Sequence, residues 1–400
     1  MDGRAVRAAI LGVGGNGRAI ARALDKDPRV ESIRLLDHDR RALAASERKG
    51  HTKPVDMMEA RADDVDILAK ALRGCDVVAH CTRPRHNVSV MRACIAAGVH
   101  YVDLAASGPL RPGEPYGILE QVEMGDAFRS AGISALLSMG LDPGMTNVLA
   151  RSAAGRLDVI ESIRIRSGGV VNLPGFSYFP LYSRDAFLDD ILVRPTVWVD
   201  GGLQEREPVS GEERFAFPSA VGPQATYFVS HEEVKTLPRF LGKPVGYVDF
   251  KFAVDPSLVR SLHRLWHAGE LSQDALTQLG DQFTDIRQTV LESFPDLSTS
   301  DALIRGTKCV TVEVDGSRGS QRRQIRGDIV FSHEESIRRD GSTAVYYLSG
   351  VAAAIGMMLL AEGGHLPPGA FPAEVLPPDV VLGEWGRRDL PVVWSERDLP

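Results

Sequence analysis

The first third of the chain alternates short apolar runs with longer stretches in which apolar residues recur at helical spacing. Short runs are typical of buried strands, and the periodic stretches are typical of helices. The predicted strands cover residues 6–11, 33–37, 55–59, 76–81, 101–104 and 133–138, and the predicted helices cover 18–24, 41–48, 65–72, 88–97, 118–130 and 145–153. Strict alternation predicts an α/β fold with a doubly wound, Rossmann-type parallel sheet.

Beyond residue 160 the pattern changes to alternating, half-exposed strands over 163–166, 196–202, 245–254 and 308–314, with helices over 258–267 and 281–293. The strand 196–202 ends in a predicted hairpin turn. Residues 343–361 form one long apolar helix, which suits burial in the first domain. We therefore expect a dinucleotide-binding domain of residues 1–155 plus 343–400. Residues 156–342 would form an inserted α+β domain for substrate binding and dimerisation.

Composition adds limits to this picture. The chain has 400 residues, 44% of them hydrophobic, and a formal charge of −7 with scattered basic residues, which argues against a nucleic-acid partner. Its 4 cysteines form no C-x-x-C pair, and the longest apolar stretch is short for a bilayer span. We expect a cytoplasmic protein with no membrane partner.

The candidate chemistry begins directly after the first predicted strand, with the motif Gly12-Val13-Gly14-Gly15-Asn16-Gly17. Gly12 permits the tight turn, Gly14 lets the backbone approach a pyrophosphate, and Gly17 lets the new helix pack closely on the sheet. The helix N-terminus then offers N–H groups to the phosphates. The motif predicts a dinucleotide cofactor held by Gly12, Gly14, Gly15, Asn16 and Gly17; the alternative is a strand-to-helix turn without a ligand.

Asp37 ends the second strand, about 20 residues after the last motif glycine, where an acid meets the adenosine ribose. A carboxylate there favours NAD, because it binds the 2′-hydroxyl and repels a 2′-phosphate. Arg40 and Arg41 follow directly and can pair with that phosphate, which leaves NADP possible.

Several segments resemble one known family. They are Gly-Val-His-Tyr-Val-Asp at 98–103, Gly-Leu-Asp-Pro-Gly-Met-Thr-Asn at 140–147, Tyr182-Ser183, His231-Glu232 and Thr-Leu-Pro at 236–238. With them the chain resembles the saccharopine dehydrogenase-like family. The resemblance implies hydride transfer between NAD(P) and an amine or imine carbon of an amino-acid-derived substrate, usually in a homodimer.

Three residues are candidates for proton transfer. Asp103 lies near the carboxyl end of its strand, where open α/β sheets bind ligands, and it equally suits a helix or loop cap. His231 is attractive because an imidazole titrates near neutral pH, although a histidine in an insertion is often structural. Tyr182 is the third candidate, through its phenol.

Two loops are expected to contact the nicotinamide half of the cofactor. Asp142, Pro143 and Gly144 precede a helix, whose free N–H groups are expected to hold the carboxamide; an ordinary helix start is the alternative. Thr82, Arg83 and Pro84 follow another strand and are placed to meet the ribose and pyrophosphate. Arg83 and Arg85 equally suit solvated surface positions.

The substrate requires a carboxylate-binding group, and arginine fits a carboxylate with two hydrogen bonds. Arg184, Arg166 and Arg305 are the candidates, with Glu232 as a further substrate contact. His263 and His267 have a spacing that can bind zinc, but no neighbouring Glu or Cys completes a site, so we expect no metal.

The sequence thus predicts an NAD(P)-dependent oxidoreductase acting at a C–N bond. Two alternatives stay open. One is an enzyme that keeps NAD bound and recycles it while an amine is oxidised, rearranged or condensed, and reduced again. The other is a non-catalytic dinucleotide sensor.

Overall fold

The structure is a computed structural model that describes residues 5–47, 50–106, 117–174, 179–270, 277–279, 282–295 and 304–400. The helices are α1 (Gly15–Asp25), α2 (Arg40–Glu47), α3 (Val65–Leu72), α4 (Asn87–Ala97), α5 (Gly117–Glu123), α6 (Gly125–Ser130), α7 (Met145–Gly155), α8 (Arg184–Leu192), α9 (Glu233–Phe240), α10 (Pro256–His267), α11 (Ile286–Ser293), α12 (His333–Asp340), α13 (Ala344–Glu362) and α14 (Pro378–Gly386).

The strands are β1 (Val6–Leu11), β2 (Val30–Asp37), β3 (Val55–Glu59), β4 (Val77–His80), β5 (His100–Asp103), β6 (Ser134–Leu137), β7 (Val159–Asn172), β8 (Thr196–Val199), β9 (Gly202–Glu205), β10 (Glu213–Ala216), β11 (Pro223–Phe228), β12 (Val245–Ala253), β13 (Thr277–Leu279), β14 (Gln282–Thr284), β15 (Arg305–Arg318), β16 (Gln321–Ser332), β17 (Gly369–Pro372) and β18 (Val393–Asp398).

The first sheet has seven strands in the order β17-β6-β5-β4-β1-β2-β3, and all of its pairings are parallel. Strand β1 lies in the middle of the sheet, with β2 on one side of it and β4 on the other. The chain therefore crosses over β1 after β3 and continues on the other side. Both faces of the central strands are buried, as helices on the two sides require. The predicted doubly wound Rossmann-type sheet is confirmed.

The second sheet has nine strands, in the order β10-β11-β12-β7-β15-β16-β18, with β8 paired to β12 and β9 to β8. It is mixed, because β12 and β7 run parallel while β15 and β16 form a long antiparallel hairpin. Alternation separates its two faces: Ile163 and Ile165 are buried on one, and Arg164 and Arg166 point to the other. Helices α7, α9 and α12 contact this sheet.

The end of the chain corrects one part of the predicted organisation. Strand β17 pairs with β6 and so belongs to the first sheet, but β18 pairs with β16 at the edge of the second sheet. Residues 343–400 therefore do not all lie in the dinucleotide-binding part. The domain boundaries themselves stay a prediction.

Two predicted helices differ in extent. The helix expected over 118–130 is two helices, α5 and α6, and an ideal Cβ on Gly125 at their junction would lie 3.5 Å from the backbone nitrogen of Ala370. The helix expected from residue 281 begins only at Ile286, where the Asp285 side chain accepts a hydrogen bond from the Gln288 N–H and caps it. Residues 280 and 281 lie outside the described part.

Helix α13 joins the two sheets. It contacts helix α1, strands β4 and β5 of the first sheet, and strand β15 of the second sheet. An ideal Cβ on Gly350 would lie 2.6 Å from Cβ of Ala19, so a glycine is needed where α13 crosses α1. Among the described residues α13 is the helix long and apolar enough to cross a membrane, and most of it is buried within the fold.

Candidate active site

A cavity of about 670 Å³ opens at the carboxyl ends of the first sheet, where doubly wound folds bind their ligands. The first wall consists of the ends of β1, β4, β5 and β6 and the loops that follow them. The second wall comes from the second sheet and the segment before α9. The candidate site therefore lies between the two sheets, as ligand sites often do.

The glycine turn forms the floor of the first wall. Gly12 has a φ of +96°, and a Cβ there would lie 2.8 Å from the backbone carbon of Cys81. A Cβ on Gly17 would lie 1.9 Å from the Gly12 carbonyl oxygen, so only glycine lets α1 approach β1 this closely. A Cβ on Gly14 would meet no atom within 4 Å, because it would point into the cavity.

This turn fits a dinucleotide. Gly14, Gly15 and Asn16 line the cavity at the N-terminus of α1, where a phosphate would meet helix N–H groups. The buried Asn16 Oδ1 has no hydrogen-bond partner within the described structure, so a ligand can supply one. Gly15 lies under Tyr346, because a Cβ there would come within 2.6 Å of that ring. The group that these residues suit is a pyrophosphate.

Asp37 lines the same cavity and is nearly buried, at 8% exposed. Its Oδ2 accepts a hydrogen bond from the Val13 N–H at 2.7 Å, and its Oδ1 accepts one from the Asp39 N–H at 2.9 Å. The carboxylate therefore also fixes the shape of the glycine turn. Arg40 is exposed and paired with Glu59. The predicted contact between Asp37 and a ribose stays a prediction.

The loop after β4 supplies Thr82, Arg83 and Pro84 to the cavity, together with Arg85. Thr82 lies next to Gly12, since its Cγ2 would be 2.8 Å from a Cβ on that glycine. The Thr82 hydroxyl is hydrogen-bonded to Nε2 of the buried His80 ring.

The loop before α7 does not work as the sequence predicted. The N–H of Gly144 donates to Asn147 Oδ1, that of Met145 to the Gly140 carbonyl and that of Thr146 to the Leu141 carbonyl. The amides expected to hold the nicotinamide carboxamide are thus used within the loop, and Gly144 is not on the cavity wall. Asp142 and Pro143 do line the cavity.

His231 anchors the second wall. Its ring stacks on the Phe250 ring with centroids 3.6 Å apart, and its Nδ1 is hydrogen-bonded to a carboxylate oxygen of Glu233. Burial opposes the charged form, but the Glu233 carboxylate and its hydrogen bond raise the pKa of His231 to about 9. The side chain is 13% exposed and lines the cavity, so a protonated imidazole can reach a ligand there.

Glu232 also lines the cavity. Its Oε1 accepts a hydrogen bond from the Ala106 N–H at 2.5 Å, which joins the second wall to the loop after β5. Burial raises the pKa of this carboxyl group above its usual range. His231, Glu232 and Glu233 lie close enough to hold a metal ion. The bonds from His231 to Glu233 and from Ala106 to Glu232 already account for their arrangement.

Two lysines on this wall were not predicted from the sequence. Lys235 donates to the His231 carbonyl at 2.9 Å, and burial lowers the pKa of its ammonium group to about 8. Lys308 donates to Asp142 Oδ2 at 3.0 Å and to Ser167 Oγ at 2.6 Å. One signal for Lys308 was present: it is a cation on the strand face that also carries Val310, Val312 and Val314.

Several predicted residues lie away from the cavity wall. Asp103 is 1% exposed and does not line the cavity, so it cannot touch a substrate there. Among the described residues its carboxylate accepts hydrogen bonds from Tyr101, Gln121 and Ser138. Asp103 therefore does not have the predicted direct role in proton transfer, because its carboxylate is buried and is hydrogen-bonded to other protein groups.

The three predicted arginines do not face the cavity either. Arg166 is buried and paired with Asp249 and Glu213 on the opposite face of the second sheet. Arg184 donates to the carbonyls of Leu291 and Phe294, and Arg305 donates to the Ile304 carbonyl. Arginine side chains are long, so their position in the sequence did not indicate which face they take.

Tyr182 does line the cavity, and its hydroxyl donates to Asp190 Oδ2 at 3.0 Å. It thus remains a candidate for contact with substrate. His263, half of the rejected zinc pair, is hydrogen-bonded to the Pro208 carbonyl through Nε2.

A glycine turn of this shape at the carboxyl edge of a doubly wound sheet, facing a wall of ionisable groups, defines a dinucleotide-dependent oxidoreductase. The particular family follows from two matching models. One is the saccharopine dehydrogenase NADP-binding domain, over residues 8–136, and the other is the saccharopine dehydrogenase C-terminal domain, over residues 140–388. The chain belongs to the saccharopine dehydrogenase family, which confirms the resemblance.

Curated relatives agree. The chain is 27% identical over 344 residues to a carboxynorspermidine synthase of Vibrio cholerae, covering 84% of this chain and 81% of that one. It is 25% identical over 393 residues to a carboxyaminopropylagmatine dehydrogenase of Synechocystis, covering 97% and 96%. The predicted NAD(P)-dependent oxidoreductase acting at an amine or imine carbon is confirmed.

Solved structures show the same fold. Apo saccharopine dehydrogenase of Saccharomyces cerevisiae matches with a TM-score of 0.71 at 13% identity, covering 99% of this chain and 100% of that chain. The homospermidine synthase of Legionella pneumophila, solved with NAD, matches with a TM-score of 0.71 at 13% identity, covering 98% and 92%.

Proposed function

We propose that this enzyme interconverts a carboxylated secondary amine of the polyamine type and the corresponding imine. In the oxidative direction the substrate loses a hydride from carbon and a proton from nitrogen, and in the reductive direction it gains both. NAD(P), when bound, supplies or accepts the hydride. The names of the two curated relatives, which denote a carboxylated norspermidine and a carboxyaminopropyl agmatine, support this substrate class.

The observation that carries the proposal is that side chains of both signs of charge line the cavity. Lys308 and protonated His231 are cations, and Asp142 is an anion, all lining one cavity. A substrate with a carboxylate at one end and cationic nitrogens at the other is complementary to such a wall. A substrate without either group would not gain these interactions.

Lys308 is the proposed contact for the substrate carboxylate. An ammonium group has three N–H donors, and the bonds to Asp142 and Ser167 use two of them. The third suits a carboxylate in the cavity. This replaces the predicted clamp of Arg184, Arg166 or Arg305. Glu232 stays the candidate contact for a cationic nitrogen.

His231 is the proposed proton donor and acceptor for the substrate nitrogen. Its Nδ1 is held by Glu233, and this bond fixes the ring so that Nε2 is the nitrogen left for a ligand. The stacking on Phe250 restrains the ring plane. In the reductive direction the imidazolium donates to the imine nitrogen, and in the oxidative direction the neutral ring takes the proton back.

The first experiment is a substrate panel. Carboxynorspermidine, carboxyaminopropylagmatine and saccharopine are each offered with NAD and with NADP, and reduced nicotinamide is followed by its absorbance. We expect turnover of a polyamine-type substrate well above that of saccharopine. Turnover of saccharopine alone would overturn the proposed substrate class.

The second experiment tests Lys308. In Lys308→Met the KM for the carboxylated substrate should rise about tenfold or more, since a hydrogen bond to a charged group contributes about 1.5–3 kcal/mol. The matched control is Lys243→Met, whose ammonium also donates to two oxygens, the carbonyls of Ala154 and Leu157, away from the cavity. An equal KM change in both variants would contradict the role of Lys308.

We propose further that the enzyme is a cytoplasmic homodimer. The dimer is supported by the family resemblance. The cytoplasm is supported by the four cysteines, all of which are free thiols. Light scattering of the purified chain tests the dimer, and a monomer at micromolar concentration would contradict it.

A further inference from the structure

A chain of hydrogen bonds runs from the cavity wall into the core of the first sheet. The Thr82 hydroxyl lies 2.5 Å from His80 Nε2, and His80 Nδ1 lies 3.2 Å from the Tyr101 hydroxyl. That hydroxyl lies 2.9 Å from Asp103 Oδ2. Thr82 and His80 line the cavity, and His80, Tyr101 and Asp103 are at most 2% exposed. These groups form one connected line from β5 through β4 to the loop beside the glycine turn.

The donors and acceptors in this series of hydrogen bonds can be assigned when Asp103 is ionised. The side chain of Asp103 faces three donors: the Tyr101 hydroxyl, the Gln121 amide at 2.5 Å and the Ser138 N–H at 2.5 Å. Burial raises the pKa of Asp103 to about 7, and these three hydrogen bonds oppose that rise, so above pH 7 the group is a carboxylate that accepts from all three donors. The single hydrogen of the Tyr101 hydroxyl therefore points to Asp103. The Tyr101 oxygen is left as an acceptor for the hydrogen on His80 Nδ1.

The direction continues through the imidazole. Burial lowers the pKa of His80 to about 3, although a hydrogen bond with Asn87 acts in the opposite direction, so the ring is neutral and carries one hydrogen. With that hydrogen on Nδ1, the Nε2 atom is an acceptor. The Thr82 hydroxyl then donates to Nε2 and has only its lone pairs for a ligand in the cavity.

We propose that Thr82 Oγ1 accepts a hydrogen bond from an O–H or N–H donor on the nicotinamide riboside half of the cofactor. In the same proposal His80, Tyr101 and Asp103 are positioning residues that hold Thr82 as an acceptor. The strand order supports contact with the nicotinamide half. Strand β2, which carries Asp37 at the predicted adenosine end, lies on one side of β1, and β4, which precedes Thr82, lies on the other. Two groups qualify as donor, the ribose hydroxyls and the carboxamide NH₂. The proposal rests on the dinucleotide site described above.

The tautomer of His80 is the first test. Nitrogen-15 NMR of histidine-labelled protein distinguishes a ring with its hydrogen on Nδ1 from one with its hydrogen on Nε2, and the His80→Asn variant assigns the signal. We expect the Nδ1-H form in the wild type at a pH well above 7, where Asp103 is ionised. An Nε2-H form would make Thr82 a donor and overturn the proposal.

Cofactor binding is the second test, measured by calorimetry. Thr82→Val keeps the shape and removes the hydroxyl, and it should weaken NAD or NADP binding about 2- to 12-fold, the range for one neutral hydrogen bond. Thr289→Val is the control, because the exposed Thr289 hydroxyl donates only to the backbone of α11, at Asp285. Unchanged affinity in Thr82→Val would overturn the proposal. The dinucleotide site itself would still stand if Gly14→Val abolished binding.

Two analogues identify the donor. The 3-acetylpyridine dinucleotide lacks the carboxamide NH₂, and ADP-ribose keeps a ribose but lacks the nicotinamide. If the carboxamide is the donor, Thr82→Val weakens NAD binding but leaves that of both analogues unchanged. If a ribose hydroxyl is the donor, it weakens all three alike.

Tyr101→Phe tests the positioning role. It removes the acceptor that fixes the His80 hydrogen on Nδ1, so the Nε2-H form should appear in the NMR spectrum. The Thr82→Val substitution should then have less effect on affinity than it has in the wild type. An unchanged tautomer in folded Tyr101→Phe would overturn the role of Tyr101 and Asp103. If this variant does not fold, the wild-type tautomer and Thr82→Val still decide the proposal.

Discussion

The two walls of the cavity are built differently. The first wall, around Gly12, Gly14 and Gly17, is made of backbone, and its shape depends on the absence of side chains. The second wall consists of ionisable side chains from distant segments, such as His231, which precedes α9, and Lys308 on β15. The first wall suits binding of the dinucleotide cofactor. The second wall offers the groups proposed to bind the substrate and to transfer its proton. Substitutions on the two walls should therefore have separable effects.

The largest effect should come from His231 on the second wall. His231→Ala should lower kcat about 10²- to 10⁴-fold, the range for a general acid or base, with cofactor affinity nearly unchanged. Steady-state kinetics and calorimetric titration of the cofactor measure both quantities. His263→Ala, which removes a hydrogen-bonded histidine outside the cavity, should keep wild-type turnover. Near-wild-type kcat in folded His231→Ala would turn attention to Tyr182.

The next effect should come from the first wall. Gly14→Val places two methyl groups in the space where a pyrophosphate fits, so cofactor affinity should fall on the order of 100-fold, about 2.7 kcal/mol. The fold should survive, because a Cβ on Gly14 meets no protein atom within 4 Å. Gly202→Val is the matched control, since its Cβ is equally unobstructed and lies in the β8–β9 hairpin. Equal cofactor affinity in Gly14→Val and the wild type would refute the assignment of the first wall.

A smaller effect should come from Asp37. If its carboxylate binds the ribose 2′-hydroxyl, the wild type should prefer NAD, and Asp37→Ser should shift the NADP-to-NAD affinity ratio about tenfold, or 1.4 kcal/mol, toward NADP. Asp39→Ser is the control, because Asp39 carries the same charge two residues further on but lies outside the cavity lining. A wild type that binds NADPH tenfold more tightly than NADH would show that Asp37 does not have this role.

The smallest effect should be a shift in pH dependence. Reductive turnover needs protonated His231, so it should be lost as the pH rises through about 9, the pKa of that residue. Glu233→Gln removes the charge that raises this pKa, while burial still lowers it. The falling limb should therefore move to lower pH by about one unit or more. The same limb in both proteins would show that His231 is not the titrating group.

Local chemistry could be predicted from the sequence. Gly12, Gly14 and Gly17 lie within one turn, and the strand and helix around them follow from short hydrophobic periods. Asp37 was predicted from its fixed spacing to the turn, and it lines the cavity, while its contact with a ribose stays a prediction. The parallel sheet followed from the alternation of elements, and the 196–202 hairpin is the β8–β9 pair, with Asp200 and Gly201 both at positive φ.

The face of the sheet that a long side chain takes could not be predicted in the same way. The predicted carboxylate clamp was an arginine, yet Arg166 pairs with Asp249 across the sheet while Lys308 reaches the cavity. Asp103 was placed at the right end of the sheet, but Tyr101 and Gln121 enclose it. Both outcomes depend on which partners lie nearby in space, and these partners come from other elements of the chain.

The sequence by itself determined the class of fold, the cofactor turn and the family, because each depends on residues close together in the chain or on the order of elements. The tertiary structure decided which ionisable groups face each other. Lys308 meets Asp142, and the buried line from Thr82 to Asp103 forms, only when β4, β5, β7 and β15 are packed. A charge or a hydrogen-bond donor takes its role from the partner and the burial around it, and only the folded chain supplies both.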